Sequence, residues 1–92
     1  MTYRVRLRPH AEKELLALPV GVRRRLIARL EALADDPRPH GSWPLKGRLR
    51  AYRRMRVGNY RVCYTITEKA RQVTVVEVGH RSRVYDDLGR VS

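Results

Sequence analysis

The chain has 92 residues and a mass of 10.8 kDa, enough for one small hydrophobic core, so we expect a single domain over residues 1–92. Lys and Arg total 21 against 9 Asp and Glu, which gives a formal net charge of +12 at pH 7, and the hydrophobic fraction of 42% argues against a disordered chain. No apolar run approaches the ~20 residues of a membrane span, and the N-terminus lacks a signal-peptide core. We therefore expect a cytoplasmic protein with no membrane partner. The single cysteine, Cys63, excludes an internal disulfide framework and a cysteine-based zinc cluster.

The positive charge is concentrated in the middle of the chain. Residues 37–67 contain no Asp or Glu, and their basic residues are Arg38, Lys46, Arg48, Arg50, Arg53, Arg54, Arg56 and Arg61. A protein this basic needs an anionic partner, which is either nucleic acid or an acidic protein. Because 18 of the 21 basic residues are arginine, whose planar guanidinium matches phosphate, the segment favours a phosphate-binding site.

The first half of the chain predicts one strand and two helices. Residues 3–8 alternate between apolar and basic side chains, as a half-buried strand does. Pro9 suits the first turn of a helix, which ends before the break at Pro19 and Gly21. The second helix, over residues 20–34, carries an apolar stripe of Val22, Leu26, Leu30 and Leu33.

A loop and three strands follow. The proline- and glycine-rich residues 35–47 predict the loop. We expect its Trp43 to cover one end of the core, with stacking on a base as the alternative. Runs of β-branched and aromatic residues predict strands at 52–57, 60–66 and 72–79. The order predicts an α+β fold: an N-terminal strand, a two-helix hairpin and a three-stranded antiparallel meander, with the helices packed on one face of the sheet.

The turn between the first two strands of the meander determines which side chains share a face. Gly58-Asn59 fits a two-residue type II′ turn, which puts Arg56 opposite Arg61 and Arg54 opposite Cys63 on the same side of the sheet. The other side, which should pack against the helices, carries Met55, Val57, Tyr60, Val62, Tyr64 and Ile66. The arginines repel one another and no acidic residue lies nearby in sequence, so we predict that an external anion neutralises them. We expect Cys63 to fill space with an inert thiol.

The C-terminal residues add candidates for chemistry. The antiparallel return of the last strand brings residues 80–85 towards Arg61, so Arg81 and Tyr85 are expected to complete the basic surface. His80 is a candidate general base because imidazole titrates near neutral pH; an exposed turn residue or a phosphate contact is the alternative. Phosphate-binding glycine loops, paired carboxylates and zinc signatures are lacking, so we predict no cofactor and no metal. Arginine, tyrosine and histidine suit phosphodiester chemistry, in which charge stabilisation dominates.

Over nearly its whole length the chain resembles the RelE/ParE superfamily of toxins from bacterial type II toxin–antitoxin systems. The resemblance rests on Ala11-Glu12-Lys13-Glu14-Leu15, Asp36-Pro37, Leu45-Lys46-Gly47, Arg54-Met55-Arg56-Val57-Gly58-Asn59-Tyr60-Arg61-Val62-Cys63-Tyr64, Val78-Gly79-His80-Arg81 and Val84-Tyr85. RelE-like members are ribosome-dependent endoribonucleases. They enter the A site and cut mRNA by attack of a ribose 2′-oxygen on the adjacent phosphate. ParE-like members share the fold and poison DNA gyrase.

The resemblance implies catalytic roles for Arg61, Arg81 and Tyr85, and the hairpin pairing adds Arg54 and Arg56 to the catalytic candidates. Arg61 would stabilise the transition-state phosphate, Arg81 would assist the leaving 5′-oxygen, and Tyr85 would stack on a base. Some RelE toxins carry lysines on the first hairpin strand, one of them a candidate base, where this chain has Arg54 and Arg56. Since arginine stays protonated and is a poor base, the resemblance leaves His80, Tyr85 or a ribosomal group as proton acceptor.

The same resemblance implies the partners. These are a cognate antitoxin, the ribosome and mRNA, with a toxin–antitoxin complex that is oligomeric and binds DNA through the antitoxin. The predicted RNA contacts are Arg23, Arg24, Arg25, Lys46, Arg48 and Arg53. Those on the second helix lie mostly off its apolar stripe, for which a solvated outer face is the simpler interpretation. A ParE-like gyrase inhibitor, or a non-toxic protein that binds nucleic acid or a partner, is the alternative function.

Overall fold

A computed structural model describes residues 2–80 and confirms the α+β fold. In chain order the elements are β1 (Arg4–Leu7), α1 (Pro9–Leu16), α2 (Val20–Ala32), β2 (Ser42–Pro44), a 3₁₀ turn (Gly47–Leu49), β3 (Arg53–Val57), β4 (Tyr60–Thr67) and β5 (Gln72–His80). The sheet order is β1-β5-β4-β3-β2. None of the helices in this part of the chain is long and apolar enough to cross a membrane.

The sheet contains the predicted meander and two further pairings. Strands β3, β4 and β5 are antiparallel neighbours, as predicted. Strand β1 pairs with β5 in parallel, which the two-helix crossover between β1 and the meander allows. Strand β2 pairs with β3 inside the segment predicted as a loop. That prediction was wrong for three residues, because so short an edge strand with a proline has no periodic sequence signal.

The helices pack on one face of the sheet around a single main core. Helix α1 begins at Pro9, whose missing N–H is no loss in a first turn. It buries Ala11 and Leu15, and the predicted stripe of α2 buries Leu26 and Leu30. The helix-facing side chains alternate along β3 and β4, as predicted. The fully buried side chains that the sheet adds to this core are Met55, Val62, Tyr64, Val73, Val75 and Val78. This face anchors the strands, so the opposite face is available for function.

The opposite face has a small apolar cluster of its own. Cys63 is fully buried there and packs against Leu45, Leu49, Tyr52 and Val76. Trp43 does not cover the main core, so that prediction was wrong. The preceding residue, Ser42, is buried opposite core residue Met55, and strand alternation therefore turns Trp43 to the other face, where it is 46% exposed.

A β-bulge changes which residues of β5 face the helices. The register between β4 and β5 shifts at Cys63/Tyr64, so that Tyr64 pairs with Val75 and Cys63 pairs with Glu77. The extra residue in β5 breaks the alternation of the strand. Glu77 consequently lies on the same face as Cys63, whereas Val78 takes a place in the main core.

Candidate nucleic-acid interface

Three arginines of one hairpin lie on the sheet face that turns away from the helices. The observed register pairs Arg56 with Arg61 and Arg54 with Cys63, as predicted. Gly58 opens the turn with φ 61°, a conformation that favours glycine, and Asn59 is not among the residues of positive φ, so the turn fits type II′. We call the side chains of Arg54, Arg56 and Arg61 the arginine face.

The three side chains of the arginine face differ in their exposure to solvent. Arg56 is exposed and Arg54 is half-buried, whereas only 6% of Arg61 is exposed. Arg61 Nη1 donates to the carbonyl of Tyr60 at 3.4 Å, and its buried Nε has no hydrogen-bond partner among the described residues. A buried unpaired donor costs about 1–3 kcal/mol. Burying Arg61 therefore lowers the stability of the folded protein, and a cation kept at such a cost is typical of a functional site.

The structure supplies an internal counter-charge that sequence reasoning missed. Glu77 lies opposite Cys63 on this face, and its side chain is only 4% exposed. Along the sequence no acidic residue lies near the arginines, but in the folded protein Glu77 lies on the same face of the sheet. Simple alternation from Val73 and Val75 would turn Glu77 towards the helices; the bulge turns it away. The sequence held one sign of this position, because Glu77 is the one acidic residue of the mainly apolar strand β5.

Glu77 belongs to a network at the start of α1. His10 Nε2 lies 2.8 Å from Glu77 Oε1 and 3.5 Å from Glu14 Oε2. The second carboxylate oxygen of Glu14 accepts the backbone N–H of Val78 at 3.0 Å. Three potential ligand atoms thus lie within 4.8 Å of one another. A divalent cation uses such ligands, but the hydrogen bonds of the network account for the arrangement without one.

Burial makes the thiol on this face inert. Desolvation raises the pKa of Cys63 to about 12; the nearby Glu77 carboxylate also raises it, whereas Arg54 and Arg61 lower it. Since the thiolate is the reactive form of cysteine, Cys63 fills space in the small apolar cluster, as expected.

The other predicted RNA contacts fall into two groups. Lys46 and Arg48 are exposed, and Lys46 shares a pocket with Arg54. Arg53 lies on the helix-facing side, where its Nε donates to Ser42 Oγ at 2.9 Å. The structure thus gives Arg53 a contact within the fold, and its role in RNA binding stays a prediction.

One of the arginines of α2, Arg25, reaches the turn of the hairpin. Arg24 and Arg25 are exposed, and the Arg25 guanidinium lies beside Gly58 at the hairpin turn. Arg23 is half-buried and donates to the carbonyl of Leu16 at 3.2 Å. Arg25 thus extends the positive charge around the turn from the arginine face.

The remaining predicted residues lie at or beyond the end of β5. His80 pairs with Tyr60 in the sheet, with the two rings 5.8 Å apart edge to face. Tyr60 packs against the main core, so His80 lies on the side opposite Arg61. Arg81 and Tyr85 lie outside the described residues. The structure brings together Arg54, Arg56 and Arg61, and it does not bring His80 to them.

Trp43 adds an aromatic ring to this interface. The guanidinium carbon of Arg54 lies 5.1 Å from the centroid of the indole ring. An array of fixed cations with an exposed aromatic ring can bind a polyanion and stabilise charge on a phosphate oxygen. Guanidinium groups remain protonated, so the arginines cannot take up a proton.

Comparisons with known proteins agree on one family. The sequence matches the model of the family described as ParE toxin of type II toxin–antitoxin system, parDE, over residues 5–85. Comparison with curated protein sequences gives no significant match.

Solved structures with this fold come from bacteria and archaea. A chain of the toxin–antitoxin complex RelBE2 from Mycobacterium tuberculosis is similar at 27% identity and TM-score 0.80, covering 88% of this chain and 100% of that one. A chain of the RelE–RelB complex from Pyrococcus horikoshii is 29% identical, with TM-score 0.77 and coverage of 91% and 100%. A doubly substituted Escherichia coli toxin RelE in the free state is 25% identical, with TM-score 0.79 and full coverage of both chains.

Proposed function

The chain belongs to the ParE toxin family of type II toxin–antitoxin systems, within the RelE/ParE toxins, and on this premise we propose that it is a ribosome-dependent mRNA endoribonuclease. The observation that carries the proposal is the arginine face, with the guanidinium of Arg61 buried and one of its donors unpaired. Structural likeness to the RelE chains, at 25–29% identity over most of their length, supports RNA over other targets.

The proposed reaction needs charge stabilisation more than covalent chemistry. The ribose 2′-oxygen attacks the adjacent phosphorus, the bond from phosphorus to the 5′-oxygen breaks, and the products carry a 2′,3′-cyclic phosphate and a 5′-hydroxyl. Arg54, Arg56 and Arg61 would neutralise the charge that develops on the phosphate oxygens, which is the largest contribution in such sites. Arg81 would stabilise the negative charge that develops on the leaving 5′-oxygen, which then takes up a proton from water. Tyr85 would orient a base by stacking.

The proton from the 2′-hydroxyl needs an acceptor outside the arginine face. His80, Tyr85 and a ribosomal group are the candidates. The observed pairing of His80 with Tyr60, on the side opposite Arg61, favours Tyr85 or the ribosome. Dependence on the ribosome would follow directly if the ribosome supplied this group.

An antitoxin is the partner best supported by the comparisons. The similar chains from M. tuberculosis and P. horikoshii were solved as toxin–antitoxin complexes. A net charge of +12 also suits an acidic segment that covers the arginine face. We propose that this complex is oligomeric and binds DNA through the antitoxin, and that the free toxin acts in the cytoplasm.

Cell-free translation of a defined mRNA tests the proposal. Primer extension should map cuts that appear only with translating ribosomes. Arg61→Ala and Arg81→Ala should each lower cleavage at least about 100-fold, as loss of one oxyanion-stabilising donor does. Arg29→Ala, which removes the same charge from α2, should cut like the wild type. Intact mRNA at toxin concentrations equal to those of ribosomes would contradict the proposal, and full cleavage by Arg81→Ala would contradict the site.

Inhibition of DNA gyrase is the second candidate function, because the matching family model is that of the ParE toxin. A supercoiling assay separates the two: loss of gyrase activity with intact mRNA would replace the nuclease by this alternative. Normal growth of bacteria that express the chain alone would instead indicate a non-toxic member of the family.

A further inference from the structure

We propose that Trp43 and the pocket beside it form a nucleobase-binding site at the edge of the arginine face. The proposal rests on the proposed function, because it takes the base from single-stranded RNA. Contacts to phosphate position a nucleic acid without reading its bases. A base site next to the arginines would fix which nucleotide lies over them.

Trp43 is placed and held as a stacking platform. It lies in the edge strand β2 opposite Arg54, and the Arg54 guanidinium lies 5.1 Å from the centre of its ring. Nearly half of this large apolar residue, 46%, is exposed. A cation that packs on the indole restrains the ring, so little conformational freedom is lost when a base stacks on it.

The adjoining pocket has an apolar floor and a basic rim. Its volume is about 260 Å³, and its lining is Pro44, Leu45, Lys46, Leu49 and Arg54. Leu45 and Leu49 pack against buried Cys63, which supports the floor. The volume is below the roughly 300–1,000 Å³ typical of small-molecule sites. It therefore suits a small planar group such as one base.

The charge around the site selects a polyanion as the occupant. No acidic residue occurs between residues 37 and 67, and Lys46, Arg48 and Arg50 are exposed next to β2. Single-stranded nucleic acid combines evenly spaced phosphates with planar apolar bases, and proteins bind it through basic grooves with exposed aromatic rings. An acidic peptide would satisfy the cations but has no need of a solvent-exposed indole between them.

The test uses the fact that Trp43 is the only tryptophan of the chain. The full-length protein is titrated with a short 2′-O-methyl RNA, which resists attack by the 2′-oxygen, while indole fluorescence and RNA anisotropy are followed together. A strand of the same length with abasic residues keeps the phosphates and removes the bases. We expect the base-bearing strand to quench Trp43 and the abasic strand to leave its fluorescence unchanged.

Variants extend the test. Trp43→Ala should weaken binding of the base-bearing strand about 5- to 150-fold, the loss expected for one stacked base. It should leave the affinity for the abasic strand unchanged. Trp43→Phe should retain most of the affinity. Leu16→Ala, which removes another exposed apolar side chain (60% exposed) at the end of α1, is the matched control and should bind like the wild type.

Several outcomes would overturn the base site. These are RNA binding without a change in indole fluorescence, wild-type affinity in Trp43→Ala, no binding of RNA, or quenching by an acidic antitoxin peptide but not by RNA. The cleavage assay keeps the two proposals apart. Cleavage of mRNA without any change in Trp43 fluorescence on RNA binding would refute the base site alone. Base-dependent quenching of Trp43 without cleavage would refute the nuclease alone.

Discussion

At the scale of single residues, burial determines which groups on the arginine face are reactive. Arg61 and Glu77 are both almost fully buried, and each is a charge that the fold must hold in place. Neighbouring Cys63 is surrounded by the same groups, and its thiol is held neutral. The face therefore offers fixed positive charge rather than a nucleophile.

The buried thiol of Cys63 predicts how the stability of the protein changes at alkaline pH. The folded-state pKa of Cys63, about 12, lies above the ordinary value of about 8.5. Its contribution to stability is thus complete below pH 8.5 and is lost as the pH rises towards 12. Urea unfolding at pH 7 and pH 10.5 should show a larger loss of stability in the wild type than in Cys63→Ala. Equal losses in the two proteins would contradict a buried neutral thiol.

At the scale of elements, the β3–β4 hairpin is the part of the site that local chemistry specifies. Glycine at the first turn position and an alternating pattern on both sides set the pairing of Arg56 with Arg61. The bulge in β5 has no comparable local cause in the sequence. It arises where the strand must satisfy both the main core, through Val78, and the small cluster, through Val76.

The turn can be tested with a matched pair of glycine substitutions. Gly58→Ala forces φ 61° on an alanine and brings its Cβ to 3.4 Å from Arg25 Nη2, so it should destabilise by about 1–2 kcal/mol. Gly21→Ala lies in α2 with no atom within 4 Å of the new Cβ and should stabilise by about 0.5–1 kcal/mol. Urea denaturation measures both; equal effects would contradict the strained turn.

At the scale of the whole molecule, the asymmetry of the fold separates stability from function. The helices cover one face of the sheet, and the other face carries Arg54, Arg56 and Arg61 together with the small apolar cluster. A net charge of +12 makes association with nucleic acid sensitive to counterions.

Salt dependence of RNA binding measures how many phosphates the protein neutralises. For single strands, the slope of log affinity against log salt is about −0.7 per phosphate. Removing one contacting cation with Arg56→Ala should make the slope shallower by about 0.7. Arg29→Ala, which removes one positive charge from α2, should keep the wild-type slope. A slope near zero in the wild type would contradict phosphate binding.

Local rules were sufficient for the two helices, for strands β1, β3, β4 and β5, for the hairpin register and for the three arginines that share a face. Each depends on contacts between residues close in sequence, for which alternation, turn chemistry and helical period are adequate guides. The antiparallel return of the last strand added Arg81, Tyr85 and His80 as candidates, and the family resemblance supplied the catalytic roles expected of Arg81 and Tyr85.

Contacts between distant segments set the remaining features of the site. Glu77 faces the arginines because of a bulge, His10 reaches Glu77 from a helix 67 residues earlier in the chain, and Trp43 joins Arg54 because a proline-containing segment adds an edge strand. None of these follows from local propensity. Each arises where the chain must fill two apolar clusters and pair buried polar groups at once, and that requirement exists only in the folded molecule.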